Sequence, residues 1–324
     1  MSESINSAVI NNTKLVNKLK EVRDKLSPDT DFRIFLGNGK TGIPIRFRLS
    51  GSEDVTLSYM DFLILDTAQL FFEWPLTEKY GYRFTVRKFI KVMTGGENGE
   101  ENSEPMQISP KRLEYIQSRI ECLSKIKIRI DMYEENKRIA ERGEVPPHPT
   151  GIIENALLPV AYDAEKREFY FTSDKLPLYE YASFNRQVIR VPADAFFCPC
   201  ELTNTDTNLI LKYYLIHEIM VMIYRNEHEK DFAGNKIYYY KSDKEGLLPL
   251  LGYTRTEHPD DRRKKFVTRP KVLNKLRSVH GSVVQILDFY KKYGIIQDYL
   301  PITLFDNGAP KGVEIILKKS RPEK

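Results

Sequence analysis

The segment RIFLGNGKTGIPIRFRLS, residues 33–50, contains Gly39-Lys40-Thr41, the ending of a phosphate-binding loop. FLILD at 62–66 imitates the apolar strand and acidic residue that hold magnesium beside such a loop. The chemistry implied is nucleotide hydrolysis, and the spacing opposes it. A phosphate loop carries a glycine five residues before the Gly-Lys-Thr, and that position is Ile34. The loop must also open directly into a helix, whose N-terminal amides hold the phosphates. Thr41 is followed instead by GIPIRFRLS, in which Ile43, Ile45, Phe47 and Leu49 alternate with smaller or charged residues. That period predicts a strand, and Pro44 argues against a central one. Phe32, Ile34 and Leu36 alternate in the same way, and Asn38-Gly39 suits a tight turn, so a β-hairpin is expected over 32–49.

The remaining reactive groups are thiols, imidazoles and carboxylates. Cys198-Pro199-Cys200 suggests zinc, but such a site takes four ligands, usually from two closely spaced pairs, and Cys122 and His148 lie far off in sequence. Three cysteines are too few for a disulfide framework; ordinary thiols in a reducing cytoplasm are expected. A tyrosine-based DNA-nicking site needs a His-hydrophobic-His metal pair. The histidines (His148, His217, His228, His258, His280) are never two apart, so Tyr238, Tyr239 and Tyr240 are expected on a strand surface. His217, beside Glu218 in an almost wholly apolar stretch, is expected as a core histidine. Asp260-Asp261 reads as solvated, and no serine, threonine or cysteine stands in a nucleophile motif. No catalytic residue, metal or cofactor is assigned.

The cations are more informative. Between 109 and 131 there are six basic residues against three acidic ones; from Arg255 to Arg277 there are nine against three. Clusters of this kind neutralise phosphates, and each phosphate contact steepens the log–log salt dependence of binding by about 0.9. The candidate DNA contacts are Lys111, Arg112, Tyr115 and Arg119 in the first cluster. In the second they are Arg262, Arg263, Lys264, Lys265, Arg269, Lys271, Lys275 and Arg277. Base contacts and phosphate contacts are not distinguishable at this level.

Which elements would position these side chains follows from periodicity. Leu15, Leu19, Val22 and Leu26 predict an amphipathic helix over 13–26, ended by Ser27-Pro28. After the hairpin, TLSYMDFLILDTAQLFFEW carries Met60, Leu63, Ile64, Thr67, Leu70, Phe71 and Trp74 on one helical stripe, closed by Pro75. FTVRKFIKVMTGG predicts a shorter helix between a Thr85 cap and Gly95. The stretch 97–105, with four glutamates, is expected as an acidic loop. A third helix starts at Ser109-Pro110, buries Leu113, Ile116, Ile120 and Leu123, and runs into the strand IKIRID. Strands are expected at 155–162 and 167–173, after a polar, proline-rich insertion at 134–150.

The second half repeats the order without repeating the sequence. A buried helix is expected at 207–226, a short strand in KIYYYK and a short helix or turn in EGLLPLLGY. A long helix beginning at Pro270 and the strands IIQDYLPI and GVEIIL follow, the strands joined through Asn307-Gly308. Each half therefore reads as three helices and a β-hairpin, the order of a winged helix, whose third helix enters the major groove.

The 324 residues are enough for about two domains. With 41% hydrophobic and 29% charged residues, the composition is that of a globular protein, and a net charge of +5 permits nucleic-acid binding. No apolar run approaches a membrane span and the polar start is no secretory signal, so a cytoplasmic location with no membrane partner is expected.

LSYMDFLILDTAQLFFEW, RFTVRKFIKVMTG and RLEYIQSRIECLSKIKIRID resemble the first winged helix of plasmid replication initiators of the iteron-binding type. LILKYYLIHEIMVM through GVEIIL resembles a divergent second one, so the likeness covers roughly 55–317. It implies an α+β fold of two tandem winged-helix modules: an N-terminal helix and hairpin over 1–54, a first module over 55–200 and a second over 201–324. It also implies binding to double-stranded origin repeats, opening of an AT-rich tract, contact with the host replicative helicase and initiator, and homodimers that repress the chain's own gene. The alternatives are a winged-helix transcriptional regulator and, from other classes, a metal-dependent nuclease or other DNA-processing enzyme and a protein-interaction module whose basic stripe meets an acidic partner.

Overall fold

The structure is a computed structural model. It describes residues 7–11, 16, 19, 30–36, 43–50, 57–73, 82–95, 108–146, 148, 150–184, 187–224, 235–239, 246–251, 265–303 and 310–317, with 30–36, 43–49 and 265–273 described by their backbone alone. The chain divides into two units, Met1–Val191 and Pro192–Lys324, each a mix of helices and small sheets.

In the first unit, Ser58 starts helix α1 (Tyr59–Leu70) with a capping box. Its hydroxyl accepts from the Asp61 amide, and Asp61 Oδ2 accepts from the Ser58 amide at 2.6 Å. The expected stripe proves wider: Phe62, Leu65, Asp66 and Ala68 are buried as well, so α1 is covered on all sides. Thr85 caps α2 (Val86–Met93) through the Lys88 amide at 3.2 Å, and Gly95, at φ 75°, ends it. Ser109 and Pro110 open α3 (Pro110–Lys125), which buries Ile116, Ile120 and Leu123 and half-covers Leu113. The three helices pack against one another pairwise.

A two-residue strand, β4 (Arg83–Phe84), immediately precedes α2. It pairs with β8 (Glu168–Phe171), which pairs in turn with β7 (Val160–Asp163). Phe84 anchors this sheet to the helices, with the rings of Phe71, Phe89, Phe169 and Phe171 centred 5.1 to 5.7 Å from its own. Such aromatic pairs add about 0.5–1.5 kcal/mol each beyond their buried area, which lets so short a strand hold.

The strand after α3, β5 (Lys127–Asp131), forms where alternation places it but does not join that hairpin. It lies between β3 (Ile43–Ser50) and β6 (Ile152–Ala156) in a second sheet ordered β2-β3-β5-β6, where β2 is Thr30–Leu36. The two strands of the hairpin expected over 32–49 are paired, with Phe32 opposite Phe47 and Ile34 opposite Ile45, and the chain from Ile43 is a strand where a phosphate loop would open into a helix. The hairpin turn at Asn38-Gly39 lies outside the described residues.

β3 is a central strand despite Pro44. Its ladder to β5 spans only Arg46 to Ser50, so Pro44 stands where β3 has one neighbour and one side needs no amide donor. The strand expected over 155–162 is two strands in two sheets, divided at Pro159. The polar stretch 134–150 begins as a helix, α4 (Tyr133–Glu141), which packs on β3. Only Asn136 of α4 is buried, so it carries no apolar period to read; Asn136 Nδ2 donates to the His148 carbonyl.

The described part of residues 1–54 is woven into this unit. Besides the β3–β5 ladder, β1 (Ser7–Asn11) pairs with β9 (Val188–Pro192). Asn11 Nδ2 donates to the Leu178 carbonyl of α5 (Pro177–Phe184) at 2.8 Å. The Tyr179 hydroxyl lies 2.5 Å from Asp66 Oδ1 and 3.2 Å from the Val9 carbonyl, tying β1, α1 and α5 together. Of the helix expected over 13–26, Val16 and Leu19 are helical and buried; the rest lies outside the described residues.

The second unit starts earlier than residue 201, with α6 (Ala193–Phe197) packed on α7 (Asp206–Tyr224), the buried helix its composition predicts. Then come β10 (Lys236–Tyr238), α8 (Leu247–Leu250), α9 (Lys265–Lys292), β11 (Asp298–Thr303) and β12 (Pro310–Ile316), in the order expected. Helix α9 packs on α7 and β12. It starts at Lys265 rather than Pro270, which places Lys265 and Arg269 on the helix itself. The sheet order is β10-β12-β11. A Cβ on Gly312 would collide with the Ile237 carbonyl oxygen of β10, so only glycine lets these strands meet. Tyr239, expected on the surface, is fully buried, and its hydroxyl lies 2.6 Å from His280 Nδ1 on α9.

Candidate nucleic-acid interface

Among the described residues one pairing pattern occurs in both units: a short strand (β4, β10) comes before a helix (α2, α8) and pairs with the second strand of the hairpin that follows the next long helix (α3, α9). In the first unit, β5, α4 and β6 are inserted between the third helix and the hairpin.

Four candidate side chains lie on α3. Lys111 is exposed, and Tyr115 is 40% exposed beside exposed Glu114 and Ser118. Arg112 is half-buried, its Nε and Nη2 shielded from solvent. Arg119 turns inward. Its Nε meets Asp61 Oδ1 at 2.7 Å and its Nη2 meets Asp61 Oδ2 at 2.8 Å, and the Asp61 side chain is wholly buried. Burial opposes the Arg119 charge, but the Asp61 hydrogen bonds and charge outweigh it and hold the pKa above its usual value. Arg119 therefore joins α3 to the head of α1, and Lys111 and Tyr115 are the α3 candidates facing solvent.

The β7–β8 turn adds cations that sequence reasoning passed over. Lys166 and Arg167 are exposed at its tip, where Arg167 takes a positive φ of 56°. Asp163 shapes the turn by accepting from the Lys166 amide at 3.2 Å and from Arg83 at 3.4 Å. The Lys166 amide bond is the main reason that its pKa falls below the ordinary carboxylate value. Arg83 stands 5.3 Å over the Tyr170 ring, and Arg87 is exposed in the first turn of α2. The available signal was DAEKRE, a polar hexapeptide with two cations between two strand patterns.

In the second unit the backbone of Lys265, Arg269 and Lys271 is helical, Lys275 is half-buried and Arg277 is exposed, with Asn274 and Ser278 exposed alongside. Arg262, Arg263 and Lys264 lie outside the described residues. On the hairpin, exposed Lys311 stands 5.8 Å over the Tyr238 ring, and Leu300 is 53% exposed.

His217 is 4% exposed, with Nδ1 3.7 Å from Glu218 Oε1, a core position as its setting predicts. Among the described residues, no three His, Cys, Asp or Glu side chains converge to hold a metal ion, and no helix is long and apolar enough to cross a membrane. No protein-family model, no curated protein and no solved structure matches this chain.

Proposed function

We propose that this protein binds double-stranded DNA through two winged-helix units and initiates replication of a plasmid or similar element by occupying origin repeats. The observation that carries the reading is the twice-repeated sheet order, β4-β8-β7 and β10-β12-β11, each in a unit that also has a helix with exposed cations, α3 or α9. A winged helix needs this arrangement: the short strand pins the hairpin to the helical cluster, so the third helix is free to enter the major groove and the hairpin to lie on the backbone. In the first unit the contacting groups are Lys111 and Tyr115 on α3 and Lys166 and Arg167 at the hairpin tip. In the second they are Lys265, Arg269, Lys271, Lys275 and Arg277 on α9.

The initiator role rests on the resemblance in the two helical stretches and is tested by the DNA itself. Fragments of genomic DNA retained by the purified protein should contain tandem repeats beside an AT-rich tract, protected repeat by repeat in footprinting. A single short palindrome would favour a transcriptional regulator, and unprotected DNA at low salt would remove the DNA reading altogether.

A further inference from the structure

Helix α6 ends at Cys198, which adopts the left-handed conformation (φ 46°, ψ 71°) and donates its amide to Asp194. Across Pro199, the Cys200 amide returns to the Cys198 carbonyl at 2.8 Å. This tight reversal brings two free thiols together, Sγ to Sγ 3.8 Å. They differ in access: Cys198 is wholly buried, whereas Cys200 is half-buried and lines a cleft of about 450 Å³ with Glu201, Asp288, Phe289 and Lys292. Nearby lies Lys212, 3% exposed, whose Nζ donates to Asn204 Oδ1 at 3.2 Å and whose charge acts on both sulfurs.

We propose that Cys198 and Cys200 are a redox-active dithiol that small-molecule disulfides convert to an intramolecular disulfide, with Cys200 attacking and Cys198 resolving. The Cys200 thiolate bonds to one sulfur of the reagent as its S–S bond breaks, and the first thiolate leaves with a proton. Cys198, giving its own proton to the second departing thiolate, then attacks Cys200 Sγ and closes the ring. The protein loses two electrons and two protons, and the reagent is reduced to two thiols.

The surroundings favour this division of labour. The Cys198 thiol donates to Cys200, which, with the Leu202 amide and the Lys212 charge, outweighs burial and brings the Cys200 pKa down to about 6. The same bond to Cys200, together with burial, raises the Cys198 pKa. The buried sulfur therefore stays protonated until Cys200 has reacted. Ring closure requires the sulfurs to approach to about 2.05 Å, a small movement in a two-residue-spaced turn. So short a loop constrains the unfolded chain little, which makes the bridge a reversible modification rather than a staple.

The test uses the reduced full-length protein and glutathione disulfide, with alkylation of the remaining thiols and peptide mass analysis. The expected result is a peptide spanning 198–200 that has lost two hydrogens, while Cys122 stays alkylatable. Cys198→Ser should stop at a stable mixed disulfide on Cys200. The wild-type result stands without any variant: a lasting mixed disulfide at Cys200, or thiols at 198 and 200 that react no faster than Cys122, would overturn the proposal. Neither outcome depends on whether the protein binds DNA.

Discussion

Arg119 and Asp61 form a two-point clasp between α3 and α1, with both bonds under 2.9 Å and the carboxylate closed off from water. The same Asp61 completes the capping box of α1, so one carboxylate fixes both the start of α1 and the position of α3. Removing one partner of a buried ion pair costs about 3–5 kcal/mol. Arg119→Ala should fall near the lower end, because Ser58 still bonds to Asp61. Urea denaturation should show a lower midpoint with an unchanged slope, whereas the folded fraction should keep its DNA affinity.

Arg119 also shows where sequence reading stops. The caps of α2 and α3 were legible, because Thr85, Gly95, Ser109 and Pro110 act on their own neighbours. The strand at 127–131 was legible from alternation. Arg119 flanks the Ile116–Ile120 stripe, and its inward turn depends on a partner 58 positions away. A carboxylate at 61 within a largely apolar helix was the available sign that a partner must be found for it. Pro44 misled for a similar reason: whether a strand is central depends on which other strands reach which part of it. The repeated sheet order was not legible at all, since β4 has two residues and its pairing is held by distant rings.

Two glycines should respond to alanine in opposite directions. At Gly312 the new methyl group meets the Ile237 carbonyl, so β10 and β12 must separate, at about 1–3 kcal/mol for an overpacked site. Gly281 lies exposed on α9 with open space around it, and alanine there should stabilise by about 0.5–1 kcal/mol. Thermal melts of the two variants should move apart from the wild type in opposite senses.

His280 gives the second unit a pH dependence. Burial lowers its pKa, and its Nδ1 lies within hydrogen-bond distance of the Tyr239 hydroxyl. A depressed histidine pKa means that the unfolded chain takes up the proton first. The stabilisation is therefore complete above the unfolded value of about 6.5 and is lost as pH falls through the folded value. His280→Gln should flatten this acid limb in denaturation curves taken from neutral pH downward.

Cys200 should titrate with an inflection near pH 6 when its alkylation rate is followed, against about 8.5 for an ordinary thiol. Lys212→Met should move the inflection upward, because the thiolate loses a buried positive charge. An inflection unchanged in that variant would assign the shift to Cys198 and the Leu202 amide alone.

Footprinting across a salt series is the most direct measurement of the two-unit DNA reading, using wild type, a Lys111→Ala/Tyr115→Ala variant and a Lys271→Ala/Arg277→Ala variant. The wild type should protect two adjacent segments of each repeat, and each variant should lose one segment while keeping the other. Each lost phosphate contact should flatten the log–log salt slope by about 0.9. Protection that is unchanged in both variants, or a single segment lost equally in both, would contradict it.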